Sequence, residues 1–132
     1  MKFVGLAAMD RKLVAIRDAV SPDARERSLM AGAKIVQAEA KRLVPVLTGN
    51  LQDSIIISFD GGLNSSAVSQ RRFFSTVYIG PSRREGFYGH MVEFGTSHSA
   101  AHPFMRPALD NSREEVRRAM GHSLWAEIKK AA

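Results

Sequence analysis

Apolar residues recur along this chain in two rhythms, and each rhythm predicts a different kind of element. Leu6, Met9, Leu13, Ile16 and Val20 alternate steps of three and four, with Asp10, Arg11, Lys12 and Arg17 turned the other way, which describes an amphipathic helix. Ser21-Pro22-Asp23 then offers an N-cap, a proline for the first helical position and an acid for the first turn, so the chain stops and restarts as a second helix. Leu29, Ala33, Val36, Ala40 and Leu43 form its apolar stripe. It should end at Val44, because Pro45 disfavours helical geometry in the residue before it and lacks the N–H that continuation needs.

The rhythm then changes. After Pro45-Val-Leu-Thr-Gly49, the run Ser54-Ile-Ile-Ile-Ser-Phe59 is short, β-branched and apolar, as in a largely buried strand. The small polar residues of Asp60 to Gln70, with adjacent glycines at 61 and 62, predict a flexible connection over about 60–71. Strand character resumes from Arg72 to Ile79 and is expected to stop at Gly80-Pro81, so the two strands most simply pair as an antiparallel hairpin. A short helical turn from Phe87 to Phe94 puts Tyr88, Met91 and Val92 on one side, and Gly95 supplies the left-handed residue that ends it. The last helix is expected over about 107–130, starting around Pro107 or restarting at Ser112, whose spacing to Glu115 makes a capping box. It should turn Leu109, Val116, Met120, Leu124 and Ile128 inward, with Gly121 weakening it locally. The expected fold class is α+β, a small antiparallel sheet packed against amphipathic N-terminal and C-terminal helices, in a single domain spanning residues 1–132.

Composition narrows the class of protein. At 132 residues, with 45% hydrophobic and 24% charged positions, the chain is long enough to bury roughly two thirds of its unfolded surface in one core. Nineteen Lys and Arg oppose thirteen Asp and Glu, giving a net charge of +6 that favours acidic surroundings such as nucleic acid or anionic protein surfaces. The cations are spread along the chain, and Arg71-Arg72, Arg83-Arg84 and Arg117-Arg118 are the Arg doublets. There is no cysteine, which excludes disulfides, thiolate metal sites and cysteine nucleophiles and suits a reducing compartment. The apolar start is broken by Asp10-Arg11-Lys12, too early for a signal peptide or a membrane span, so a soluble, unprocessed product is expected.

The candidate chemistry gathers in one stretch and then dissolves on inspection. His90 and Glu93 lie three apart on one helical face, and His98 and His102 follow, so a divalent metal is conceivable. The His-Glu-x-x-His spacing of zinc hydrolases is absent, however, and the plainer reading is one partly buried histidine with two on a loop. No Gly-x-Ser-x-Gly elbow or phosphate-binding loop occurs either. No catalytic residue, metal ligand or cofactor site is therefore assigned. Arg71-Arg72 beside Phe73-Phe74 and Arg83-Arg84 beside Phe87-Tyr88 set cations next to aromatics, as a stacking platform would, yet alternate aromatics on a strand are more often core. Glu93, flanked by Met91, Val92 and Phe94, would be costly to bury without donors, and nearby backbone or hydroxyl groups, such as those of Thr96 or Ser97, are expected to supply them, a catalytic carboxylate being the less favoured alternative. Thr48 is expected to cap a helical turn from Asn50 to Asp53 that feeds the first strand.

The ordered residues Ala40-Lys41, Val44-Pro45, Thr48-Gly49, Leu51, Ser54-Ile55, Val77, Ile79-Gly80, Tyr88, Glu93-Phe94-Gly95-Thr96, Pro103-Phe104 and Pro107-Ala108 carry a resemblance. The chain resembles the small tail-component, or head-tail joining, proteins of long-tailed bacteriophages and prophages, from Leu6 to about Val116. What the resemblance implies is a non-enzymatic structural protein of the neck or tail that completes or joins the head-tail interface through protein-protein contacts, often as a ring. It implies as partners a portal adaptor, tail terminator or tail tube and further copies of the chain, with no membrane, in the host cytoplasm during assembly and in the virion afterwards. On that reading Pro45, Thr48, Gly49, Leu51, Ser54, Tyr88, Glu93, Phe94, Gly95, Thr96, Pro103, Phe104, Pro107 and Ala108 are the assembly signature, and Arg71, Arg72, Arg83 and Arg84 are candidate lumen or partner-facing charges. The alternative is a small basic DNA-binding protein making non-specific phosphate contacts.

Overall fold

The computed structural model describes residues 4–46, 49–59 and 76–131. Their order is α1 (Leu6–Ala19), α2 (Pro22–Leu43), α3 (Asn50–Asp53), β1 (Ile55–Ser58), β2 (Tyr78–Pro81), α4 (Gly89–Phe94) and α5 (Met105–Ala131). The α+β class is as the apolar rhythm predicts. The predicted connection at 60–71 lies outside the described residues.

Helix α2 begins and ends where its punctuation says. The Ser21 hydroxyl accepts a hydrogen bond from the Ala24 N–H at 3.2 Å, Pro22 takes the first position and Asp23 sits at the positive end of the helix dipole. At the other end the Val44 N–H closes on the Ala40 carbonyl, and the backbone turns extended before Pro45.

The framework of the fold is α2 packed against α5. Ser28 bonds to the Met120 carbonyl, Arg27 pairs with Glu127, Asn111 reaches Glu39, and Ala40 shares a cluster with Ala108, so the helices run antiparallel. Ala24, Ser28, Gly32, Val36 and Ala40 are all buried and lie every fourth residue, forming one i, i+4 row. Leu29 and Leu43 of the expected stripe are only half-buried. The small row lets α5 come close: a Cβ at Gly32 would stand 2.8 Å from Met120 Cγ, 2.9 Å from its sulfur and 3.0 Å from Val116 Cγ1.

Helix α5 is continuous from Met105, two residues ahead of the expected start around Pro107, which rules out the alternative of a restart at Ser112. Ser112 is buried inside the helix, and its hydroxyl donates back to the Ala108 carbonyl instead of capping a new turn. The inward row begins at Ala108 rather than Leu109, which is 48% exposed, because the close approach of α2 selects the smaller of two adjacent apolar residues. Val116, Met120, Leu124 and Ile128 are half-buried, as the stripe predicts in part.

At the end of the helix pair where Ala40 meets Ala108, a compact core forms from Ala40, Val44, Leu51, Ile55, Phe104 and Ala108. Leu43, Ile79, Tyr88, Val92 and Met105 pack against it. The strands pair antiparallel with Ile55 opposite Pro81 and Ser58 opposite Tyr78. Gly80 and Pro81 thus lie within β2, contrary to their expected role as its stop; a proline is tolerated at a strand end because its missing N–H breaks no interior rung. Two glutamines fasten these pieces to α2: Gln37 donates to the Ile55 carbonyl and Gln52 to the Lys41 carbonyl, both at 2.8 Å.

Helix α1 forms as predicted but contributes no buried residue. Leu6, Met9 and Leu13 are 59%, 55% and 56% exposed while Ile16 and Val20 are half-buried, so the N-terminal part of the apolar stripe faces outward, and α5 is the helix's main neighbour.

Two glycines test this packing in opposite directions. Gly32→Val should lose about 1–3 kcal/mol from overpacking against Met120 and Val116. Gly121 is exposed in mid-helix with no neighbouring atom near its Cβ position, so Gly121→Ala should gain up to about 1 kcal/mol. Urea unfolding midpoints at unchanged m-value measure both; a Gly32→Val midpoint at or above wild type would contradict the close helix approach.

Candidate functional site

The stretch around α4 is built from the sheet outward. After β2, the Gly86 N–H bonds to the Ser82 carbonyl, and the Ser82 hydroxyl accepts from the Glu85 N–H at 3.2 Å, closing a turn that holds Arg83 and Arg84 in solvent. Gly86 and Gly89 are buried where side chains would collide: a Cβ at either lies 2.6 Å from Pro81. These contacts press α4 against the end of β2. Phe87 and Tyr88 meet edge to face at 5.5 Å between ring centres, with Tyr88 turned to the core and Phe87 left 65% exposed. His90 donates from Nδ1 to the Phe87 carbonyl at 2.9 Å. Gly95 ends α4 with φ of +76°, its N–H closing on Met91.

Glu93 is the central side chain. Its Oε2 accepts the N–H groups of Phe104 at 2.7 Å and Met105 at 3.0 Å, and its Oε1 accepts that of Arg106 at 3.2 Å. The donors are backbone groups, as expected, but not those of Thr96 or Ser97; the Thr96 hydroxyl accepts instead from the His98 N–H at 3.3 Å. The reason is geometric, because the loop after Gly95 folds back, with His102 N–H bonding to the Val92 carbonyl, and delivers the start of α5 to the α4 carboxylate. A helix leaves its first N–H groups without intrahelical acceptors. Here Glu93 takes those of Phe104, Met105 and Arg106, residue 107 is a proline with none to offer, and the Ala108 N–H makes the first helical bond to Phe104.

Two forces act on the acidity of Glu93. Burial raises its pKa, and the hydrogen bonds from Met105, Phe104 and Arg106 lower it; together the bonds prevail and hold the carboxyl below its ordinary value of 4.5. It is therefore an anion at the positive end of a long helix, a stabilising placement.

Eight of the fourteen residues expected as the assembly signature line two grooves that share α4. Pro45, Gly49, Leu51, Tyr88 and Thr96 line one of about 540 Å3, beside Met91, Val92 and His102. Glu93, Phe94 and Phe104 line the other, of about 670 Å3, with Ile79, Phe87 and Leu109. Arg83 stands on the wall of this second groove, and Arg84 is exposed nearby. Ser54 is buried and donates to the Leu51 carbonyl at 2.7 Å; Pro103 is exposed, Pro107 half-buried and Ala108 buried. Gly49, with φ of +81°, is the cap residue of α3. Thr48, the expected cap, lies outside the described residues, as do Arg71 and Arg72. Sequence reasoning missed the outward exposure of Phe87, Phe94 and Leu109. Phe94, 80% exposed, follows half-buried Val92 and Glu93 and directly precedes the helix stop, a position where an apolar residue need not face inward.

Among the described residues, no group of three or more His, Asp or Glu is arranged to hold a metal ion, and no helix is long and apolar enough to cross a membrane. The HK97-gp10-like model, described as a bacteriophage HK97-gp10 tail component, matches residues 7–95, and the chain belongs to that family. It is thus a structural phage protein of the tail-component class, whose work implies contact with other phage structural proteins in the virion. No curated protein and no solved structure matches the chain.

Removal of the Glu93 acceptor has a definite signature. Glu93→Ala should cost about 0.5–2 kcal/mol at neutral pH, the range for losing a helix cap. Because the folded pKa lies below the ordinary value, the anion's contribution is full above about pH 4.5 and is lost as pH falls through the folded value. Glu93→Gln should therefore flatten part of the acid limb of a stability-pH curve measured by urea unfolding, and a curve parallel to wild type would count against the assignment.

Proposed function

We propose that the chain is a neck or tail-completion subunit that joins or finishes the head-tail interface through protein-protein contacts alone, as one domain and without enzymatic activity. The observation that carries this reading is the arrangement around α4. The signature residues there build packing, turns and a helix cap, while Phe87, Met91 and Phe94 remain exposed beside them on the groove-bearing face. Exposed apolar side chains grouped about one short helix suit a protein contact. Membership of the tail-component family supports the same direction.

The partners on this reading are a portal adaptor, a tail terminator or the tail tube, together with further copies of the chain in a ring. Assembly takes place in the host cytoplasm and the product is the neck or tail of the particle. Arg83 and Arg84, exposed beside the larger groove, are the two of the four candidate charges that lie among the described residues, and either a partner or passing DNA could meet them. A contact with DNA phosphate predicts a log-log salt slope of roughly −0.9 per phosphate neutralised; an acidic protein partner has no such fixed slope.

The direct test is to mix the purified chain with portal-adaptor, tail-terminator and tail-tube subunits from the same phage and follow association by light scattering. Association with one of them, weakened at least tenfold by Phe94→Ser, is the expected outcome. Absence of association with all three across salt and concentration would remove the proposal.

A further inference from the structure

Two uncovered surfaces on this chain complement each other. Helix α1 has fourteen residues and buries none of them. An isolated helix of that length is marginal in water, and helices in proteins owe most of their stability to a packed apolar face. Leu6, Met9 and Leu13, at positions i, i+3 and i+7, form a face of the spacing by which an amphipathic helix lies in an apolar groove. The larger groove beside α4 has about 670 Å3 of space, and its wall includes Phe87, Phe94 and Leu109 at 65%, 80% and 48% exposure. No residue of α1 lines it.

We propose that α1 of one copy docks in the α4–α5 groove of the next, so that the subunits associate head to tail. The inference rests on the reading of the chain as an assembling tail subunit and names the contact that would join its copies. Within one copy α1 has α5 as its main neighbour, and none of its residues reaches the wall of the groove.

The available area argues for a chain of weak contacts. An aromatic side chain buries roughly 150–250 Å2, so Phe87 and Phe94 at their exposures offer about 200–350 Å2. Leu6, Met9, Leu13 and Leu109 add roughly 130–260 Å2, on the area implied by the free energy of burying one aliphatic side chain. With the usual polar share of a non-obligate interface, one helix-groove contact reaches roughly 600–1,000 Å2, at or below the low end of specific interfaces. A single pair should therefore be weak. Because helix and groove are different patches, each copy gives one contact and receives another, and closure into a ring doubles the contacts per subunit.

The chain's lack of cysteine makes a clean test. Met9→Cys and Phe94→Cys copies, mixed at high micromolar concentration and oxidised, should crosslink to each other, and the double variant should give a ladder of covalent oligomers. In sedimentation, Leu6→Asp/Leu13→Asp (helix-defective) and Phe94→Asp (groove-defective) should each associate at least roughly tenfold more weakly than wild type. Mixed together they should stop at a one-to-one dimer, since the mixture retains one sound helix and one sound groove. The substituted residues are exposed, and unchanged helical circular dichroism confirms that each variant folds.

Wild type that stays monomeric throughout, or variants that assemble like wild type, would overturn the proposal. So would Phe94→Ser losing a tail partner while self-association is unchanged, since the groove would then belong to that other protein and the neck reading would stand. Intact self-association with no partner binding would instead sink the neck reading and leave the helix-groove contact in place.

Discussion

The carboxylate of Glu93 is the constraint on which the rest of the site depends. The longest helix of the described chain starts without a Ser, Thr, Asn or Asp of its own to cap it. Glu93 reaches across from α4 and accepts three N–H groups of its opening turn. That one residue fixes α4 against α5, sets the Phe104 ring in the core, and so determines where Phe87, Phe94 and Leu109 come to stand. An acid embedded among apolar neighbours, which looks in sequence like a liability or a catalytic group, is here the fitting between two elements.

Its position also explains what was and was not legible in the chain. The limits of α2 could be read directly because Ser21, Pro22 and Pro45 act on their immediate neighbours. The start of α5 could not, because its cap lies eleven residues upstream of Phe104 and only the folded loop between them brings the two together. Ser112 and Glu115 have the spacing of a local cap, but burial against α2 makes Ser112 an interior residue instead. The choice of Ala108 over Leu109 was hidden for a related reason: periodicity finds an apolar face, but the closeness of the opposing helix decides which of two adjacent residues fits. The strands were readable as far as the pairing, but β2 begins only at Tyr78, with Thr76 and Val77 outside it, and it runs through Gly80-Pro81 where a stop was expected.

The candidate site was legible as a motif before it was legible as a surface. Pro45, Gly49, Leu51, Tyr88 and Thr96 lie apart in sequence, and their gathering on one groove follows from the way α3 and α4 both dock on the Val44–Leu51–Ile55 core. The three histidines that suggested metal chemistry are all exposed, and His90 is occupied by the Phe87 carbonyl. The exposed face of α1 was missed in a different way. Its stripe predicts burial, and the described chain leaves it uncovered, which is a pattern a subunit can share with a core helix until the neighbours are known.

The small sheet carries a last consequence. Two short strands present open backbone, and many identical copies crowded together would invite strand-to-strand aggregation. In this chain Gln37 already occupies the Ile55 carbonyl, and Pro81 brings a residue without an N–H to the end of the ladder. The sheet is thus a poor template for adding strands, and crowding at an assembly site is steered toward the helical faces, where contacts can form and come apart without converting the subunit into a fibre.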